Sequence, residues 1–117
     1  MKPILSTKYQ SINDQKHINH IFNHGTQIKY RTHYLYFCKR YRLSESLCII
    51  TSRKVGNAIK RNRCRRQVRA FFSIFKTYIS KEYDIIVVVH SNMVGCSSKD
   101  IYKVLINQLK RQGIWND

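Results

Sequence analysis

The stretch from Arg53 to Ile79 limits the possible folds more than any other part of the chain. Wound at about 100° per residue, residues 57–79 put Cys64, Val68, Phe71, Phe72, Phe75 and Ile79 on one stripe. A helix with such a stripe must be covered, and a sheet is the natural cover. Asn62, Arg65 and Arg69 form a second stripe beside the first, with Arg66 flanking it. Arg61 points toward the core side, in the first two turns. Eight of the seventeen residues from Arg53 to Arg69 are basic: Arg53, Lys54, Lys60, Arg61, Arg63, Arg65, Arg66 and Arg69. No acid occurs between 57 and 79. Solvated helix faces usually mix signs, so this row of guanidinium groups beside a sheet edge points to a polyanion.

The rest of the chain supplies the cover. Residues 14–24 read as a helix with Ile18, Ile21 and Phe22 on one face, capped by Asn13 or Asp14 and ended by Gly25. Residues 33–39 alternate, with Tyr34, Tyr36 and Cys38 on one side and Leu35 and Phe37 on the other, as a strand does. A turn around Ser44–Ser46 leads to a second strand at 47–52, rich in β-branched residues. Residues 83–90 form an apolar run that reads as a strand buried on both faces. Ser97 or Ser98 caps a last helix to about 111, with Ile101, Val104, Leu105 and Leu109 inward. The order is α-β-β-α-β-α, with a short extra strand near Ile28. This is an α+β sandwich of helices on one sheet. We expect one domain over 1–117, with 1–11 as a loose N-terminal segment.

Charge and composition narrow the function. Twenty-two Lys and Arg face six acids, a formal net charge of +16. Such an excess weakens a compact fold unless a polyanion compensates it. Nucleic acid is the first candidate partner, an anionic membrane surface the second and acidic proteins the third. No stretch approaches the ~18 apolar residues of a bilayer span, and Met1–Ser6 lacks the apolar run of a secretory signal. The expected location is the cytoplasm. Cys38, Cys48, Cys64 and Cys96 lie far apart without a CxxC pair, so they read as small hydrophobes rather than zinc ligands or disulfides. Of the six acids only Glu82 and Asp84 are close. Asp84 opens a buried strand, where capping or pairing suits it better than two-metal nuclease chemistry. His17, His20 and His24 have helical spacing that could hold a metal, but a basic surface helix carrying histidines is the plainer reading.

Arginine suits phosphate because its planar fork gives two parallel hydrogen bonds. Asn62 can read a base edge or fix a neighbouring side chain. The N-terminus of the helix adds amide donors and partial positive charge. Single-stranded RNA also needs π-faces. Tyr34 and Tyr36 share a strand face and Phe22 lies on the first helix, whereas Phe71, Phe72 and Phe75 belong to the core.

At Lys54-Val55-Gly56-Asn57-Ala58-Ile59, followed by Arg61-Asn62-Arg63 with Arg65, Arg66 and Arg69, the sequence resembles the signature of bacterial ribonuclease P proteins. Ile21-Phe22-Asn23-His24-Gly25 looks like the ending of that family's first helix. The strand with Tyr36, the Tyr83-Asp84 strand opening and the closing helix follow in the right order, so the resemblance covers roughly 12–112. It implies an αβββαβα sandwich, similar to a ribosomal protein domain, with a central sheet and a left-handed βαβ crossover. It also implies a subunit of ribonuclease P that binds the catalytic RNA and the 5′ leader of precursor tRNA and assists removal of that leader. Such a protein holds no catalytic residue and no metal ligand, needs no membrane and has no evident obligate protein partner. Mg²⁺ would be held mainly by the RNA.

Carried over by position, Arg61, Asn62, Arg63, Arg65, Arg66 and Arg69 belong to the RNA-binding helix, with Arg53, Lys54 and Lys60 beside it. Ile18, Phe22 and Tyr36 would line the leader cleft, with Lys54 at its edge, and Tyr34 joins them on its shared strand face. Position 18, often aromatic in the family, is Ile here, and Cys48 stands where a glycine is common. Two other readings compete: a nuclease active as protein alone, and a basic nucleic-acid-binding protein of ribosomal type without a role in cleavage.

Overall fold

A computed structural model describes residues 15–40 and 47–116. Its elements are α1 (Gln15–His24), β1 (Thr26–Lys29), β2 (His33–Lys39), β3 (Leu47–Thr51), α2 (Ala58–Ile74), β4 (Tyr83–Val89) and α3 (Ser98–Arg111). The αβββαβα order follows, and the extra strand near Ile28 is β1. The strands form one sheet in the order β1-β2-β4-β3. β4 pairs antiparallel with β2 and parallel with β3, the chain crossing from β3 to β4 through α2.

β4 is central, which explains its unbroken apolar run. Ile85, Val87 and Val89 face a large core with Leu35 and Phe37 of β2, the stripe of α2 and Ile101, Leu105 and Leu109 of α3. Ile86 faces the other way and meets Ile21 of α1 in a second, smaller core. The helices therefore cover both faces of the sheet, and α1 alone covers its face among the described residues. That face stays partly open because one ten-residue helix cannot cover a four-stranded sheet.

α1 lies close to the sheet at its C-terminal end. The Gly25 N–H donates to Ile21 O at 2.8 Å. A Cβ at Gly25 would lie 2.5 Å from Ile21 O and 2.8 Å from Phe37 O, so only glycine allows the chain to enter β1 here. Between β3 and α2, Arg53–Val55 forms a single 3-10 turn that buries Val55. Gly56 then takes φ 143°, a region that disfavours any side chain. Asn57 caps α2, its Oδ1 accepting from Lys60 N at 3.0 Å.

The long helix is shorter than its periodicity implies. It ends at Ile74 rather than near 79, with Phe75 as its cap. The chain turns through Phe75–Tyr78, and Ile79 forms a bridge with Trp115. Ile79 is still buried, so the apolar rhythm continues past the helix because the C-terminal segment covers it. Ser97 is the cap of α3, accepting from Asp100 N at 3.2 Å. The proposed caps Asn13 and Asp14, the turn at Ser44–Ser46 and the segment 1–11 lie outside the described residues.

Candidate nucleic-acid interface

The basic residues of α2 fall into two groups. Arg53, Lys54, Lys60, Arg63, Arg66 and Arg69 are exposed. Arg61 and Arg65 are half-buried and partly engaged within the protein. An Arg61 guanidinium N–H donates to Gly56 O at 2.7 Å, which ties the helix to the turn that precedes it. Arg65 donates to Asn62 Oδ1 at 2.8 Å and to the Thr51 hydroxyl on β3. Of the two roles open to Asn62, the structure displays the second, fixing a neighbouring arginine. The bond to Thr51 sets the guanidinium row against β3, an edge strand. An arginine held at two points loses less freedom on meeting a phosphate than one on a loose stem.

The proposed cleft residues gather on the α1 face. Ile18 and Phe22 pack with Tyr36, Cys38, Cys48 and Ile50 around Ile21 and Ile86. The rings of Phe22 and Tyr36 meet edge to face, centroids 4.7 Å apart. The Tyr36 hydroxyl accepts from Gln27 Nε2 on β1. Tyr34 lies two residues along β2, roughly 7 Å from Tyr36, and makes different contacts. Its ring centroid is 4.2 Å from that of His90 and 5.9 Å from Lys29 Nζ. The three proposed aromatics thus form one edge-to-face pair and a separate station nearer the end of β4. His90 and Lys29 were not read from the sequence. The parity of β4 could have found His90, since Asp84, Ile86, Val88 and His90 alternate on one side.

The buried polar groups escaped the sequence reading more thoroughly. His17, read as a surface residue, is fully buried, and its Nε2 lies 2.8 Å from Asp84 Oδ2. Arg40 Nε sits 3.4 Å from the other carboxylate oxygen. The pairing expected for Asp84 is thus present, with partners from α1 and the end of β2. Its neighbour Glu82 is exposed and pairs with Lys39 at 3.0 Å. The His20 and His24 rings lie tilted against each other, with centroids 4.7 Å apart. Among the described residues no three His, Cys, Asp or Glu side chains come together as a metal site. Among them, too, no helix is long and apolar enough to cross a membrane.

On the other face Thr32 and His33 are buried with Gln108 of α3. The Thr32 hydroxyl donates to His33 Nδ1 and His33 Nε2–H donates to Gln108 Oε1, each at 2.9 Å. Burial pulls the His33 imidazole below its ordinary value, the Gln108 bond opposes this, and nearby His90 adds to the lowering. The four thiols were expected to be small buried hydrophobes, but Cys38, Cys48 and Cys96 are only half-buried. All four are free, and Cys64 is buried. Burial pushes the thiols of Cys48 and Cys64 up, and burial with the Asp84 carboxylate does the same for Cys38.

Residues 7–113 match the protein family described as Ribonuclease P. A Ribonuclease P protein component from Clostridium botulinum is 30% identical over 110 residues, spanning 93% of this chain and 99% of that protein. Among solved structures, the Staphylococcus aureus RNase P protein superposes with a TM-score of 0.80 at 27% identity, over 93% of this chain and all of that one. The RNase P protein from Thermotoga maritima, in complex with 1-(4-fluorophenyl)-2-thiourea, gives 0.75 at 27% identity, over 86% of this chain and 97% of that one.

Proposed function

The chain belongs to the ribonuclease P protein component family, and from that premise we propose that its α1 face binds the single-stranded 5′ leader of precursor tRNA while the arginine row of α2 binds the catalytic RNA. Membership makes it a subunit of ribonuclease P, a ribonucleoprotein endoribonuclease of tRNA processing. The finer reading rests on one observation above the others. The open face of the sheet carries Phe22 against Tyr36 and then Tyr34 against His90. Beyond β3, at the end of the sheet where β2 begins and β4 ends, come Arg53 and Lys54. Rings to stack bases, followed by cations for phosphates, are what a single strand needs. This favours a leader over duplex DNA and over a ribosomal type of contact.

The chemistry belongs to the RNA in this reading. Asp84 is engaged by His17 and Arg40 and Glu82 faces Lys39, so this pair of carboxylates does not fit a Mg²⁺ site. Mg²⁺ held by the RNA would activate water and stabilise the leaving oxygen. The protein lowers phosphate repulsion, fixes the leader and so tightens substrate binding. We place this activity in a single domain over 1–117 and in the cytoplasm.

The test compares two substrates. Binding of leader-bearing and leaderless precursor to the reconstituted holoenzyme is measured at fixed salt. Phe22→Ala and Tyr36→Ala should each weaken the leader-bearing substrate, on the order of tenfold for a lost stacking contact. Binding of the leaderless one should not change. Equal losses for both substrates, or no loss, would reject the cleft assignment.

A further inference from the structure

A second groove lies on the far face of the sheet from α1, between the edge strand β1 and helix α3. Its volume is about 350 Å³, near the lower end of the ~300–1,000 Å³ of small-molecule sites. That is room for one nucleotide and too little for a duplex. Its floor is Ile28 and Val104, Lys29 and Tyr30 stand at its strand side, and Asn107, Gln108 and Arg111 line its helix side. None of its lining residues is acidic.

Gln108 gives the groove a fixed polar group. The residue is only 8% exposed. Its Oε1 is held by His33, and His33 is held in turn by Thr32. The amide is thereby oriented, and with Oε1 taken by His33 what Gln108 can offer the groove is its Nε2 donor. Such a donor in a confined site favours a ligand that offers an acceptor. Tyr30 adds an aromatic ring, 36% exposed and outside the apolar core, with its centroid 5.7 Å from that of His33. Arg111, in the last turn of α3, and Lys29, at the end of β1, add two cations. Ring, oriented amides and guanidinium are the groups that take up an unpaired base and its phosphate.

We propose that the β1–α3 groove binds one unpaired nucleotide of the ribonuclease P RNA, with its base on Tyr30, a base acceptor on Gln108 and its phosphate on Arg111. RNA is favoured over an acidic protein because the groove offers a ring and amides beside its two cations, Lys29 and Arg111, and the chain already works in a ribonucleoprotein. The floor of the site lies on the other face of the sheet from the leader cleft, and Lys29 is the groove residue that also approaches Tyr34. Ile28 belongs to the α2 and α3 side of the sheet, and β1 is the edge opposite β3. The RNA would thus hold the protein at both sheet edges, roughly 14 Å apart, leaving the α1 face for the leader.

The experiment measures the affinity of the full chain for ribonuclease P RNA across a salt series, with leader-bearing and leaderless precursor binding measured alongside. Tyr30→Ala should weaken assembly about five- to tenfold without changing the salt slope, and Tyr30→Phe should restore it. Arg111→Ala should weaken assembly and lower the salt slope by about one. Both side chains are exposed, so folding should survive, which circular dichroism checks. The difference between leader-bearing and leaderless substrates should stay as in the parent protein. Unchanged assembly in both variants overturns the proposal while leaving the leader reading intact. A loss confined to the leader-bearing substrate also overturns it, since the groove would then belong to the leader. So does a loss of binding to free adenosine monophosphate with assembly unaltered.

Discussion

Two histidines in the interior carry opposite lessons about pH and packing. His33 is neutral by design of its surroundings, with one ring nitrogen donating and the other accepting. Its value in the folded protein lies below the ~6.5 of an exposed imidazole. Between the two values the unfolded chain binds more protons than the folded one, so stability rises with pH there. The contribution is complete above about 6.5 and is lost as pH falls toward the lowered folded value. Urea titrations from pH 5 to 8 should show this slope, and His33→Asn should flatten it. An equal slope in both proteins would reject the assignment. His17 acts through Asp84 instead. His17→Ala should cost on the order of 3 kcal/mol by leaving a buried carboxylate short of a partner, measured as a drop in the urea midpoint. Neither histidine could be read from the chain. Asp84 lies 67 positions from His17, and Gln108 lies 75 from His33. Local periodicity is silent at that range. It fixed Leu35, Phe71 and Leu105 as core because each repeats with its neighbours.

Strands and helices were more legible where burial sets the pattern. The bounds of β2 and nearly all of β4 follow from alternation and from an apolar run. The C-terminal end of α2 did not, since no glycine or proline marks Phe75 and the apolar rhythm runs on to Ile79. The division of the helices between two faces was also hidden, because a stripe says that a helix is covered but not by which side of a sheet. Gly25 joins sequence to geometry here. Gly25→Ala would put a Cβ 2.5 Å from Ile21 O of α1 and 2.8 Å from Phe37 O of β2, so α1 must shift relative to the sheet, and the change should destabilise by roughly 2 kcal/mol. It should also weaken leader-bearing substrates more than leaderless ones, because Phe22 moves with α1. A thermal melt and the paired binding assay would read both effects. Along α2, Arg65→Ala with Arg69→Ala should weaken binding to the RNA and make it less salt-dependent, the slope falling by about two units. A slope that stays put would remove the helix from the RNA interface.

For the molecule as a whole, a charge of +16 on 117 residues makes sense only beside a polyanion. The sheet separates tasks by face. α2 and α3 build the main core on one side, while α1 leaves the other side partly open. The charge pointed to a polyanion and the stripe to helices on a sheet, while the ribonuclease P partner and the full strand order came with the motif at 54–69. The leader track needed the structure, because it joins α1, β2 and β4 through pairings that no short window contains. The most direct measurement mixes the purified protein with a bacterial ribonuclease P RNA and times precursor tRNA cleavage at low Mg²⁺, beside each component alone. The account predicts that the mixture cuts at the mature 5′ end, faster than RNA alone, and that the protein alone cuts nothing. A mixture no faster than RNA alone, or cleavage by the protein without RNA, would contradict it.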